Sequence, residues 1–262
     1  MHIFYHWRNY AAHWDKLSPP LRPHADDIRV YAHELGLEAN TLLLGVTPEI
    51  AKLDLRGVAV DRNAQMIERV WPGPVNWRVT QGEWLWLPLP DDSVQQVVGD
   101  GALTMLRFPT EYLLLLTELR RVLKPDGKIV LRLFAAPEQS ESVDDIRQAL
   151  ISGQIQSFHA LKWRLAMALA QERGGNVQVA DLLEAFNQAF ADREGLIART
   201  GWPSQVFDTV DIYKNSAAML SFPKLSEVHA LLAAHAMGIR YQRGTYELAE
   251  RCPIVILEGL RT

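Results

Sequence analysis

The sequence has one cysteine, no long apolar run and no cluster of basic residues. Cys252 has no partner for an internal disulfide bond, and the apolar residues that follow it predict a buried strand position. No apolar run approaches the roughly 20 residues that a membrane-spanning helix needs. The segment Met1 to Asp15 lacks the apolar core of a secretion signal. These absences predict a cytoplasmic protein that does not cross a membrane.

The charge balance argues against an extended nucleic-acid surface. The 262 residues include 27 Lys or Arg and 31 Asp or Glu, which gives a net charge of −4. A face that binds many phosphates needs clustered basic residues, and none are clustered here. Nucleic acid is therefore an unlikely partner. With 48% hydrophobic residues, the chain fits one large domain or a domain with a subdomain.

Residues 41–61 have the pattern of a strand, a tight turn, a short helix and a second strand. Thr47 and Pro48 suit the N-cap and the first position of the helix. Asp61 ends the second strand, where nucleotide-binding α/β domains present a carboxylate to the two hydroxyls of a ribose. A dinucleotide-binding loop has three glycines, but this loop has only Gly45.

Strands and helices keep alternating up to about residue 134. Helices are predicted at 24–35, before the first strand, and from the N-cap residue Asn63 to about residue 70. Further strands are predicted at 75–80, 94–99 and 129–134. This alternation predicts an α/β fold with right-handed crossovers, in which a doubly wound, mostly parallel sheet of seven strands has helices on both faces.

The pattern changes after the fifth strand. From about 141 to 199 the signals are only helical, which predicts a helical insertion. Strand character returns at 206–213, and the runs 239–246 and 252–257 predict a hairpin at the sheet edge.

We therefore expect three parts in the chain. Residues 1–40 would form an N-terminal helical lid, and residues 41–137 together with 203–262 would form the cofactor-binding domain. Residues 138–202 would form the insertion and cover the substrate.

Two motifs resemble those of class I S-adenosylmethionine-dependent methyltransferases. The family commonly reads Gly-Asp-Ala-x-x-Leu-Pro-Phe-x-Asp-x-Ser-Phe-Asp, and residues 82–95 read Gly-Glu-Trp-Leu-Trp-Leu-Pro-Leu-Pro-Asp-Asp-Ser-Val-Gln. The family then commonly has Glu-x-x-Arg-Val-Leu-Lys-Pro-Gly-Gly, and residues 118–127 read Glu-Leu-Arg-Arg-Val-Leu-Lys-Pro-Asp-Gly. Residues 10–15 are similar to the "Tyr…Tyr-Asp" helix that flanks the cofactor in many members. The resemblance covers about 5–135 well and 203–262 loosely.

The resemblance implies a Rossmann-like domain that binds S-adenosylmethionine and releases S-adenosylhomocysteine. Asp61 would accept hydrogen bonds from the ribose, Glu83 would accept from the adenine amino group, and the backbone amide of Trp84 would face an adenine ring nitrogen. Gly99 and Asp100 would receive the ammonium group of the cofactor. The full set of expected cofactor-binding residues is Gly45, Thr47, Asp61, Arg62, Glu83, Trp84, Gly99 and Asp100.

A small-molecule acceptor would bind beside the cofactor. The aromatic residues of the first helix, Tyr10 and Trp14 among them, either pack on the sheet or form a lid and a wall for a planar substrate. Arg132, at the end of the fifth strand, is the third substrate candidate. Methyl transfer depends mainly on positioning. The candidates for a general base, should the acceptor need one, are His13, His159 and Tyr213, and no metal ligands are assigned.

The glycine-poor loop leaves alternatives open. The first is an active methyltransferase. The second is a catalytically inactive methyltransferase-like protein that serves as a binding or assembly partner. A nicotinamide-dependent reductase fits less well, because the loop lacks the glycine pair that would hold a pyrophosphate. A homodimer is compatible with the aromatic first helix, and the sequence does not name the acceptor.

Overall fold

The computed structural model describes residues 2–261, with side chains from residue 7 onward. Its strands are β1 (Asn40–Leu44), β2 (Arg56–Asp61), β3 (Trp77–Gln81), β4 (Val94–Asp100), β5 (Leu123–Arg132), β6 (Asn176–Gln178), β7 (Met219–Ser221), β8 (Ala236–Gln242) and β9 (Ile254–Leu260). Its α-helices are α1 (His2–Ala12), α2 (Ala25–Glu34), α3 (Pro48–Ala51), α4 (Ala64–Val70), α5 (Thr110–Val122), α6 (Val143–Ile151), α7 (Phe158–Glu172), α8 (Val179–Ala189), α9 (Arg193–Thr200), α10 (Asp208–Asp211) and α11 (Leu225–His235).

Seven of these strands form one sheet, in the order β3-β2-β1-β4-β5-β9-β8. The first five strands are mutually parallel, whereas β9 runs antiparallel to both β5 and β8. The predicted doubly wound, mostly parallel sheet of seven strands and its edge hairpin are therefore confirmed. The strand order reverses between β1 and β4, and open α/β sheets bind ligands at the carboxyl ends of the strands at such a point.

Local sequence signals explain the register around this point. Gly57 pairs with Thr41, and a Cβ at Gly57 would lie 1.8 Å from the backbone oxygen of Thr41, so only glycine permits this close approach. The side chain of Asn63 accepts hydrogen bonds from the backbone N–H groups of Gln65 and Met66 and so caps α4. These contacts fix where β2 ends and where the next helix begins.

The buried core has one apolar layer on each face of the sheet, a cluster in and around the insertion, and a small cluster between α1 and α4. Leu42, Val97 and Leu119 belong to one face, whereas Leu43 and Val98 belong to the other. This alternation along β1 and β4 is expected for a sheet that is covered on both faces. None of the helices described here is long and apolar enough to cross a membrane.

Two predictions for the segment after the fifth strand are wrong. The strand predicted at 206–213 is wrong, because this segment forms a 3₁₀ turn (Ser204–Phe207) and then α10. Phe207 and Val210 are three residues apart and both enter the core of the insertion, so helical spacing overrides β-branched composition. The insertion is also not purely helical, since β6 pairs with β7. The predicted strand position of Cys252 is wrong too: it lies two residues before β9, although it is fully buried.

Candidate functional site

A cleft lies at the carboxyl ends of β1, β2 and β4, where the strand order reverses. Its cavity volume is about 120 Å³, and the cleft opens to solvent. The loops after these strands line its floor, α1 and the residues after it line one side, and the insertion contributes Trp163 and Val179. Residues from all three of the parts that we expected from the sequence therefore line the cleft.

Asp61 occupies the end of β2 and lines the cleft. Its Oδ1 accepts a hydrogen bond from the backbone N–H of Asn63 at 2.8 Å, and its Oδ2 faces Gly45. Only 9% of the residue is exposed. Burial raises the pKa of Asp61 to about 6, although the bond from Asn63 partly offsets this effect. The fold thus keeps this carboxylate in the cleft although burial disfavours its charged form. Carboxylates with such raised pKa values are common in functional sites.

The glycine-poor loop also lines the cleft through Gly45, Val46 and Thr47. Gly45 has φ of +93°, which side-chain-bearing residues rarely adopt. Thr47 precedes α3, but its side chain makes no capping hydrogen bond, contrary to the sequence pattern. Pro48 is buried at the first position of the helix and is not among the residues that line the cleft. The departure from three glycines therefore does not close the cleft.

The side chain of Trp84 lines the cleft, whereas the sequence prediction gave a role only to its backbone amide. Its indole Nε1 donates to the carbonyl oxygen of Val60 at 2.7 Å. Its ring comes within 3.8 Å of the position that a Cβ on Gly45 would take. Because the indole crosses the end of β2 next to Asp61, it forms a wall of the cleft and also reduces its width.

Two of the predicted cofactor residues do not line the cleft. Glu83 is exposed, in the loop after β3. Gly99 lies within β4, where a Cβ would come within 3.0 Å of Leu131, and its carbonyl oxygen accepts from Tyr31 at 3.4 Å. Gly99 is thus a close-packed residue of the sheet. Arg62, in contrast, lines the cleft with an exposed side chain.

Asp100 lines the cleft at the end of β4, but its carboxylate already has a partner. Arg132 donates to both of its oxygens, with Nε–Oδ1 at 2.5 Å and Nη2–Oδ2 at 3.0 Å. Arg132 is fully buried and also contacts Asp27, 3.5 Å away, and the Tyr246 hydroxyl, 3.1 Å away. Burial opposes its charge, but Asp100 outweighs this effect and raises the pKa of Arg132.

Asp100 was predicted to bind the cofactor and Arg132 the substrate, but of the two only Asp100 lines the cleft. Arg132 does not line the cleft, so it supports Asp100 from below instead of facing the cleft where a substrate would bind. A bidentate pair between arginine and a carboxylate is geometrically specific and largely neutralises the carboxylate. Asp100 is consequently a fixed and charge-balanced acceptor.

Aromatic side chains cover the cleft from the first helix and the turn after it. Trp7, Tyr10 and Trp14 all line the cleft. Their rings pack edge to face, with centroids 5.5 Å apart for Trp7–Tyr10 and 6.1 Å apart for Tyr10–Trp14. Arg22 lies over Trp14 at 5.5 Å and donates through Nε to Glu49 at 2.6 Å. Arg22 thereby ties this aromatic cover to α3, beside the glycine-poor loop. Tyr5 was expected in the same cover, but its side chain lies outside the described part of the chain.

The three candidates for a general base occupy different environments. His13 is half-buried and does not line the cleft, and the carbonyl oxygen of Asn9 accepts a hydrogen bond from its Nδ1 at 2.8 Å. His159 is buried away from the cleft, and burial lowers its pKa to about 3, with the charge on Lys162 adding to this effect. Tyr213 does line the cleft, but burial, with Tyr10 nearby, raises its pKa. Its hydroxyl therefore stays protonated near neutral pH.

Other lining residues were not identified as site residues from the sequence. Asn63 and Met66 follow β2, where Asn63 carried only a capping signal. Phe134 follows β5, and Trp163 belongs to the insertion. A signal for Trp163 was absent, because a tryptophan in a helix predicts burial and not the cavity that it faces.

The fold is Rossmann-like, and the cleft lies at the point of the sheet where such folds bind ligands. Residues 44–131 match the family model described as a methyltransferase domain. A search of curated proteins finds no match. The matched segment contains both of the motifs that resemble class I methyltransferases, at residues 82–95 and 118–127.

Solved structures share the fold across most of the chain. An S-adenosylmethionine-dependent methyltransferase from Methanosarcina mazei is 14% identical, with a TM-score of 0.52, over 92% of this chain and 99% of that one. A possible histamine N-methyltransferase from Thermotoga maritima is 13% identical, with a TM-score of 0.50, over 98% and 100%. A protein provisionally described as a zinc-dependent alcohol dehydrogenase from Rhodobacter sphaeroides is 10% identical, with a TM-score of 0.58, over 97% and 98%. At such identities the likeness concerns the fold, which hosts many functions.

Proposed function

We propose that the protein is an S-adenosylmethionine-dependent methyltransferase that acts on a small molecule. The observation that carries this proposal is the buried carboxylate of Asp61, which presents Oδ2 to a cleft at the switch point of the sheet. The methyltransferase domain match over residues 44–131 supports it. The aromatic cover suits a small, planar acceptor better than a macromolecule, which would need an open surface.

The residues of the cleft fit an adenosyl cofactor. Asp61 has a free acceptor direction for the ribose hydroxyls, and Thr47 offers a hydroxyl that no helix cap uses. Gly45 keeps the backbone open beside them. When bound, the cofactor supplies a methyl group activated by a sulfonium. Glu83 would reach the adenine only by turning inward from its exposed loop, so we assign the adenine wall to Trp84.

The protein would act by holding two reactants and excluding water. An oriented pair of reactants can gain about 7–11 kcal/mol over the reaction in solution. The aromatic side chains Trp7, Tyr10 and Trp14 would close the cleft over the reacting centre and attract a cation by about 0.5–2 kcal/mol. Burial raises the pKa of Tyr213, so its hydroxyl stays protonated at neutral pH and can donate a hydrogen bond but does not serve as a base. We therefore propose that the acceptor atom is nucleophilic without a side-chain base.

A second candidate is a protein with this fold that binds a partner and has lost catalysis. The observation that favours it is the placement of Trp84, which narrows the cleft between Gly45 and Asp61. In that case Trp84 would fill the space that a ribose needs, and the loop would have no ligand to cradle.

Titration calorimetry with S-adenosylhomocysteine separates the two candidates. The active-enzyme proposal predicts saturable binding to the native protein and a loss of about 10- to 100-fold in affinity for Asp61→Ala, since a hydrogen bond to a charged group is removed. Asp126→Asn is the matched control, because Asp126 is exposed and remote from the cleft. Absence of binding to the folded native protein would contradict the proposal and favour the second candidate.

A further inference from the structure

A second cavity adjoins the cleft, and we call it the side groove. It is lined by Arg62 after β2, by Arg107 and Glu111 at the start of α5, and by Asn176, Met219 and Leu220 of the β6–β7 pair. Its cavity volume is about 150 Å³, against about 120 Å³ for the cleft. Trp7, Arg62, Met105 and Leu220 line both cavities, so a molecule held in the cleft can extend into the side groove.

The side groove has two cationic side chains and one anionic side chain. Arg62 and Arg107 are exposed, and neither guanidinium group forms an ion pair within the part of the chain that the structure describes. The carboxylate of Glu111 accepts a hydrogen bond from the backbone N–H of Arg107 at 2.7 Å, which holds it at the first turn of α5. The lining of the side groove therefore has an excess of one positive charge.

The acids of the cleft do not occupy these two arginines. The carboxylate of Asp61 accepts from the backbone N–H of Asn63 and faces Gly45, and it is not within ion-pair distance of Arg62. Burial raises the pKa of Asp61, and the charge of Arg62 only partly opposes this effect. Asp100 is paired with Arg132. Because the whole chain has a net charge of −4, the excess of positive charge in the side groove is a local feature.

The junction between the cleft and the side groove is apolar apart from Arg62. Its other shared residues are Trp7, Met105 and Leu220. A ligand that spans both cavities would contact apolar surface at the junction and guanidinium groups in the side groove. Arginine is well suited to such a position, since its planar fork binds a carboxylate or a phosphate through two parallel hydrogen bonds.

We propose that Arg62 and Arg107 bind the anionic group of an elongated methyl acceptor, either a carboxylate or a phosphate. The apolar part of the acceptor lies against Trp7, Met105 and Leu220, and its reactive end lies in the cleft. The two arginines thus select an acidic acceptor over a neutral one of the same shape. This assignment rests on the proposed function, because it takes the cleft to hold the cofactor.

Three probes with the same phenethyl group test the assignment. Hydrocinnamate carries a carboxylate, phenethyl phosphate carries a phosphate, and hydrocinnamamide is uncharged. Their binding is measured by tryptophan fluorescence on the protein saturated with S-adenosylhomocysteine, in a buffer without phosphate. We expect at least one of the two anions to bind about 3- to 30-fold more tightly than the amide, which is the worth of two solvent-exposed ion pairs. The tighter anion identifies the acid group.

The preference should depend on salt and on Arg107. At about 1 M ionic strength the Debye length is about 3 Å, so most of the preference should disappear. Arg107→Gln is the test variant, because Arg107 lines the side groove and not the cleft. It should lower the preference for the anion by about 2- to 5-fold, the worth of one exposed ion pair.

Arg78→Gln is the matched control. Arg78 is also exposed, but it lies on the edge strand β3 and lines neither cavity. This variant should keep the full preference. An unchanged preference in Arg107→Gln would overturn the assignment, and so would a preference that persists at high salt.

Native protein alone gives a readout that needs no variant. Equal binding of both anions and the amide to the loaded native protein would overturn the assignment, as would no binding of any probe. Binding of S-adenosylhomocysteine is measured first in every sample. Its failure contradicts the proposed function and the anion site with it, whereas its success followed by equal binding of the probes contradicts only the anion site.

Discussion

Replacing Asp61 by asparagine should stabilise the protein without ligand at neutral pH. Burial raises the pKa of Asp61 from 3.8 to about 6, so the charged form is disfavoured by the fold. Between these values the folded state binds more protons than the unfolded state, and the free energy of unfolding falls as pH rises. Above pH 6 the deficit is constant and amounts to at most about 3 kcal/mol, at about 1.4 kcal/mol for each pKa unit.

Asparagine at this position removes the charge and keeps the contact. Its side-chain oxygen can still accept from the backbone N–H of Asn63, as Oδ1 of Asp61 does at 2.8 Å. We therefore expect Asp61→Asn to gain about 1–3 kcal/mol in free energy of unfolding at pH 7.5 and nothing at pH 4. The same substitution should weaken the binding of S-adenosylhomocysteine, because a neutral amide replaces the charged acceptor.

Urea unfolding of the native protein and Asp61→Asn at both pH values measures this difference. Asp126→Asn serves as the control at an exposed position and should match the native protein at both. An Asp61→Asn variant that is less stable than the native protein at pH 7.5 would refute the reasoning, since it would show that the charge is favourable in the fold. A gain of equal size at pH 4 would show that the charge is not its cause.

Three other substitutions test the packing and the buried charges. Gly57→Ala should lower the free energy of unfolding in urea by several kcal/mol, because the added Cβ would lie 1.8 Å from a backbone oxygen of the adjacent strand. Gly238→Ala is the control, since a Cβ there meets nothing closer than 3.5 Å. Arg132→Met should lower the free energy of unfolding by about 3–5 kcal/mol, because it leaves Asp100 without its partner. An unchanged Tm in thermal unfolding at pH 7 would contradict this prediction. Burial lowers the pKa of Lys162 to about 7, so the unfolded state binds the extra proton between pH 7 and 9 and stability rises with pH. In Lys162→Met, the midpoint of urea unfolding should increase less with pH than in the native protein. An equally steep increase in the variant would show that a group other than Lys162 causes the pH dependence.

The parallel core of the fold could be predicted from the sequence because its signals are local. Pro48 and Asn63 both carry the expected helix-start positions, and Asp61 ends β2 as its pattern required. Gly45 takes the positive φ that its place in the turn demands. Alternating strands and helices then leave few topologies, which is why the doubly wound, mostly parallel sheet could be predicted, although its strand order was not.

The remaining site could not be predicted because it depends on distant partners. In the sequence, Arg132 is only a cation at the end of β5. It can be buried because Asp27 and Asp100, which lie on other elements, pair with its charge. His159 is polar in sequence but lies inside the core of the insertion. The segment 206–213 contains the β-branched residues Val206, Thr209, Val210 and Ile212, but it is helical and packs Phe207 and Val210 into the buried core. In each case tertiary contacts override local preference.

The central claim is that Asp61 holds the ribose of an adenosyl cofactor in the cleft at the switch point of the sheet. A crystal structure of the protein grown with S-adenosylhomocysteine tests it most directly. We expect both ribose hydroxyls within hydrogen-bond distance of the Asp61 carboxylate, with the adenine beside Trp84. Density for the ligand outside this cleft, or a cleft filled by the Trp84 indole at a saturating ligand concentration, would contradict the account.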